Sequence, residues 1–127
     1  MLRAALLTVL FAVPAFAAEK LTAPQLIALA NTPNADLKSA ITLSFDAKNL
    51  KEGTAWAGHG PDFFFAIEAA AQPVLVIDDK SQLEMKPVTG TDLWYAVAHI
   101  EPVATLHSFS YLVSGAKFGG KDRKSVV

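Results

Sequence analysis

The spacing of apolar residues changes character part-way along the chain, and the change divides it. Residues 22–31 have apolar positions at Leu26, Ile27, Leu29 and Ala30. With Thr22 placed as N-cap and Pro24 in the first turn, this predicts a short helix that ends at Asn31-Thr32-Pro33-Asn34. A second helix is predicted after Asn34, where Leu37, Ala40, Ile41 and Ser44 or Phe45 recur at three- and four-residue intervals. Helices this short need a surface to pack on. We expect that surface to lie outside the chain, leaving apolar area on the helices exposed.

Residues 46–62 contain Gly53, Gly58, Gly60 and Pro61 and read as a loop with one helical turn near residues 49–52. Beyond them the period becomes two. Segments 63–69, 73–79, 84–88, 93–100 and 106–114 are predicted strands separated by turn residues. Several short strands without intervening helical patterns indicate an antiparallel β-sandwich. If residues 101–105 close a hairpin, Leu93 faces Val113, Tyr95 faces Tyr111, Val97 faces Phe109 and His99 faces His107. That register sorts large apolar residues from small or polar ones, so these six apolar residues (Leu93, Tyr95, Val97, Phe109, Tyr111, Val113) are the expected core of the pair.

The first residues do not belong to this pattern. Arg3 precedes an apolar run over residues 4–13, Pro14 breaks it, and Ala15-Phe16-Ala17 supplies small residues for cleavage after Ala17. This is the anatomy of a secretory signal, too short to span a bilayer, and it predicts a periplasmic or secreted product with no membrane association after cleavage. No cysteine follows the apolar run, which argues against a lipoprotein. Removing residues 1–17 leaves 127 − 17 = 110 residues, enough for one small domain. The expected division is a signal over 1–17, a helical preface over 18–52, a sandwich over 53–120 and a solvated, disordered tail over 121–127.

Charge adds little. Without Arg3 the chain has 10 basic and 12 acidic residues, and its only basic cluster is the tail. A nucleic-acid partner is not expected. The lack of cysteine excludes thiol catalysis, thiolate metal sites and disulfide staples. No G-x-S-x-G elbow, H-E-x-x-H pair or phosphate-binding glycine loop occurs. The expectation is therefore no catalytic residue, no metal ligand and no cofactor. His99 and His107 share a face in the proposed hairpin but lack a third ligand. Asp78-Asp79 read as turn formers, because adjacent strand residues point to opposite faces. Trp94, on the face with Ala96 and Ala98, Trp56 in the glycine-rich loop, and His59 in a tight turn with Gly60 and Pro61 are the candidates for a ligand or domain-docking surface.

Four stretches, GHGPDFFFAIEA (58–69), PVLVIDD (73–79), GTDLWYAVAHI (90–100) and HSFSYLVSGAKFGG (107–120), resemble the N-terminal early-set, immunoglobulin-like domain of bacterial enterochelin-esterase-like hydrolases. More loosely, the second half resembles family-48 carbohydrate-binding modules. The resemblance implies an immunoglobulin-like sandwich that precedes an α/β-hydrolase domain and helps shape its active site. The serine, acid and histidine of catalysis would all be supplied by that later domain, which is expected to be missing from this chain. The expected function is a non-catalytic accessory module whose partner is an α/β-hydrolase domain. The alternative is a free-standing carbohydrate-binding module of the glycogen-binding type, although 78–85 holds no aromatic residue of the kind such modules use. The oligomeric state is not legible.

Overall fold

The computed structural model describes residues 20–103 and 105–121; the secretory signal expected over residues 1–17 lies outside them, as do residues 122–127 of the expected tail, whose first residue, Lys121, ends a strand. Three helices come first: α1 (Ala23–Ala30), α2 (Leu37–Ser44) and α3 (Ala47–Glu52). Eight strands follow: β1 (Ala55–His59), β2 (Asp62–Glu68), β3 (Pro73–Ile77), β4 (Ser81–Glu84), β5 (Lys86–Pro87), β6 (Leu93–His99), β7 (Phe109–Val113) and β8 (Ala116–Lys121). They form two antiparallel four-stranded sheets, ordered β1-β2-β6-β5 and β4-β3-β7-β8. The fold is a β-sandwich, as the sequence predicts.

The helices begin where the sequence places them. Thr22 caps α1, its hydroxyl accepting from the Gln25 N–H while its own N–H donates to the Gln25 side chain. That reciprocal pair satisfies two of the donors that a helix start leaves open. Asp36 caps α2 by accepting from the Ser39 N–H and hydroxyl.

The surface they need is inside the chain. Leu26, Ala40, Ile41 and Leu50 are buried against Ala55, Phe64, Ala66 and Leu93, on the outer face of the first sheet. The expected exposed helical face is therefore corrected: the helices are a third layer. Between the sheets lies a second cluster, with Phe63, Phe65, Ile67, Ala96 and Ala98 from one side and Leu75, Phe109 and Tyr111 from the other. Strand β2 is covered on both faces, which is why Phe63-Phe64-Phe65-Ala66-Ile67 is a continuous apolar run and not an alternating one.

The expected 93–100/106–114 hairpin does not form. Both strands exist, but β6 pairs with β2 and β5 in one sheet, whereas β7 pairs with β3 and β8 in the other. The chain between them crosses from sheet to sheet, tied down where the Ile100 N–H donates to the Pro61 carbonyl and the Asp78 N–H to the Ser108 carbonyl. The sorting of side chains has a different cause. Ala98 and Ala96 are small because they lie in register with Phe63 and Phe65, whose rings fill the interior. Leu93 and Tyr95 are large because they face the helices. Val97, on that same outer face and past the helical cover, is 37% exposed and is not core.

Three further segments depart from expectation. The glycine-rich loop contains β1, the segment over 84–88 is divided between β4 and β5, and residues 116–121 form β8. In β8 a register shift opposite Phe109 and Tyr111 accommodates Gly119 and Gly120. Both have positive φ, and a Cβ at Gly120 would overlap the Phe109 carbonyl. Only glycine lets this strand tuck in while its Gly120 N–H donates to the Gly53 carbonyl.

Candidate functional site

Strands β1 and β2 are joined by a two-residue turn, with His59 and Asp62 in register across Gly60-Pro61. Gly60 adopts φ 60°, the conformation a tight hairpin needs at its first central position. Gly58 lies beneath the Phe63 ring, where a Cβ would come within 2.6 Å of a ring carbon. The ring therefore folds down over the glycine and meets Trp56 at a centroid distance of 5.7 Å. The result is an aromatic recess of about 280 Å³ at one end of the sandwich, walled by Trp56, His59, Phe63, Ile100, Val103 and His107.

The far wall is the crossover between the sheets, and two histidines fix it. His107 is buried, with Nδ1 at 2.6 Å from Asp78 Oδ2 and Nε2 at 2.8 Å from the Pro102 carbonyl. A carbonyl only accepts, so Nε2 carries a proton. The Asp78 carboxylate also accepts when ionised, so a second proton lies between it and Nδ1. Asp78 is itself held in place. It and Asp79 have φ of 55° and 58°, and the Lys80 N–H donates back to the Ile77 carbonyl, making the β3–β4 connection a type I′ turn. The other Asp78 oxygen accepts from the Ser108 N–H at 2.8 Å.

His99 is exposed and sits between two carboxylates, Nδ1 at 3.0 Å from Asp62 and Nε2 at 2.6 Å from Glu101. Its pKa is raised from the ordinary 6.5, first by the hydrogen bond to Asp62 and then by that to Glu101. Both imidazoles thus turn their nitrogens onto acceptors of the same chain.

Of the sequence candidates, Trp56 and His59 come together in this recess. Trp94 does not join them. Its side chain packs against the cluster between the sheets, and its indole N–H donates to the Ala69 carbonyl at 2.9 Å. The face expected to be shallow is the sandwich interior. His99 and His107, expected on one hairpin face, belong to separate arrangements. Among the described residues no group of three or more His, Asp or Glu side chains is placed to hold a metal ion. Sequence reasoning missed Phe63, Ile100, Val103 and the Asp78–His107 contact as parts of one site. The one available signal was Gly58, since a glycine across from a phenylalanine marks a place where a ring lies flat over the backbone.

A larger open groove of about 500 Å³ runs between residues 30–38 and 87–89. Asp36, its acidic side chain, is already committed to capping α2, and the hydrogen bonds from Ser39 hold its pKa below the ordinary value. The aromatic recess is therefore the better candidate. No family model, curated protein or solved structure matches this chain. Among the described residues no helix is long and apolar enough to cross a membrane.

Proposed function

We propose that this chain is a non-catalytic accessory module, exported by its N-terminal signal, that docks an α/β-hydrolase domain of the enterochelin-esterase-like kind. On this reading the sandwich is an early-set, immunoglobulin-like domain. The single observation that carries the proposal is the recess beside Trp56. Its walls are aromatic and aliphatic, and of the two imidazoles that line it, His107 is engaged within the chain while His59 is exposed at the rim. Such a surface offers burial and shape to a partner.

The carbohydrate-binding alternative keeps one supporting observation, because Trp56 is half-buried and borders the recess. A sugar ring stacked there would use Trp56, not Trp94.

Two measurements test the reading. Hydrolysis of a p-nitrophenyl ester by the purified chain should not exceed that of a heat-killed control; sustained turnover above it would make the chain an enzyme. Calorimetric titration with maltooligosaccharides should give no saturable heat. A sugar isotherm abolished by Trp56→Ala would replace the docking reading with the carbohydrate-binding one.

A further inference from the structure

We propose that residues 101–103 are a proton-dependent latch on the recess, closed by His99 and His107 when both imidazoles are doubly protonated and released as pH rises. The inference stands whatever the recess holds.

Two consecutive residues are gripped from opposite sheets. Glu101 is held by His99 at the end of β6, and the Pro102 carbonyl by His107 on the approach to β7. The next residue, Val103, is a wall of the recess and is 51% exposed. Position 103 therefore has little packing of its own to hold it and depends on its neighbours.

Each imidazole faces two acceptors, and a neutral ring has a single N–H to offer them. His107 faces an obligatory acceptor at Nε2 and a carboxylate at Nδ1. After loss of one proton it can donate to only one of them. The bond to the charged Asp78 is the stronger of the two, so the Pro102 contact is the one surrendered. The Nε2 lone pair would then oppose the carbonyl oxygen. His99 has the same problem with two carboxylates, Asp62 from the β1–β2 turn and Glu101 from the crossover. Neutral His99 can keep only one.

Among the described residues the titratable groups placed at these imidazoles include Asp62 and Glu101 around His99 and Asp78 beside His107, with His59 on the opposite wall of the recess. These three carboxylates each favour a charged ring beside them. The direction follows: the latch is closed at low pH and opens as pH rises through the folded-state titrations.

The test uses the full chain carrying Trp94→Phe, so that Trp56 alone reports. Acrylamide quenching of Trp56 is measured between about pH 5.5 and about pH 8.5, a span across which imidazoles change charge, with circular dichroism confirming that the sheet content is unchanged. The quenching constant should rise about twofold or more over that range as Val103 withdraws. His107→Gln, whose amide can donate to Pro102 at every pH, should flatten the upper part of the rise. His99→Gln, at an exposed position where folding is not at stake, should reduce its amplitude. In parallel, nitrogen NMR should find both ring nitrogens of His107 protonated at the acidic end. A quenching constant independent of pH in the Trp94→Phe chain, or a His107 ring with one bare nitrogen throughout, would overturn the proposal.

Discussion

Tyr111 offers the cleanest quantitative test of the sandwich interior. It is fully enclosed on β7, its ring edge-on to Phe109 at 5.8 Å, and its hydroxyl has no hydrogen-bond partner among the described residues. Burial alone pushes the phenol's pKa well up, so it stays un-ionised across the accessible range. An enclosed hydroxyl without a partner costs about 1–3 kcal/mol of desolvation. Tyr111→Phe removes that cost and loses the oxygen's few dispersion contacts, each about 0.1–0.2 kcal/mol. The net expectation is a stabilisation of about 1 kcal/mol, which in a domain of this size raises Tm by about 4–8 °C. Urea unfolding of both proteins, followed by tryptophan emission, reads the change directly, provided the denaturant slope is unaltered. A loss of about 1 kcal/mol or more would refute the reasoning, because it would mean that the hydroxyl is satisfied, for instance by an enclosed water.

Three further outcomes follow from the packing and the charges. Phe64→Ala should cost about 3–5 kcal/mol because Phe64 is enclosed between β2 and the helical layer, whereas Val97→Ala should stay within about 0.5 kcal/mol; denaturation midpoints check both. Gly120→Ala should lose at least about 2 kcal/mol, since its Cβ would overlap the Phe109 carbonyl at a φ that side chains avoid, and thermal melts would read it. His99 should titrate above 6.5 by proton NMR, and Asp62→Asn should move its midpoint downward. Because its folded pKa is raised, the stability this group contributes is complete below its unfolded pKa and is lost as pH rises through the folded one.

The sandwich was legible because the local signals that specify it are strong. Thr22 with Gln25 makes a capping box, and β3, β6 and β7 were legible as strands because each of them buries apolar residues in a sheet. What failed was the assumption that strands adjacent in sequence pair with each other. The large residues at 93 and 95 were sorted correctly onto one face, yet that face looks to the helices, and the small residues opposite make room for Phe63 and Phe65. A single-chain pattern reports that two faces differ, not which one is the centre of the molecule. Strands β1 and β8 were missed because both carry glycine, Gly58 of β1 beneath a ring and Gly119 and Gly120 of β8 beside a backbone. Two walls of the recess could be read, Trp56 in the glycine-rich segment and His59 beside the Gly60-Pro61 turn. The rest could not, because Asp78 and His107 stand 29 residues apart and meet only once the sheets have stacked.

The measurement that bears most directly on the docking reading is a calorimetric titration of this chain with the isolated catalytic domain of an enterochelin-esterase-like hydrolase. Saturable binding that Trp56→Ala weakens about tenfold or more, the loss expected for an aromatic anchor, is the outcome expected. Binding that is absent, or that is indifferent to Trp56 while the chain alone cleaves esters, would contradict it.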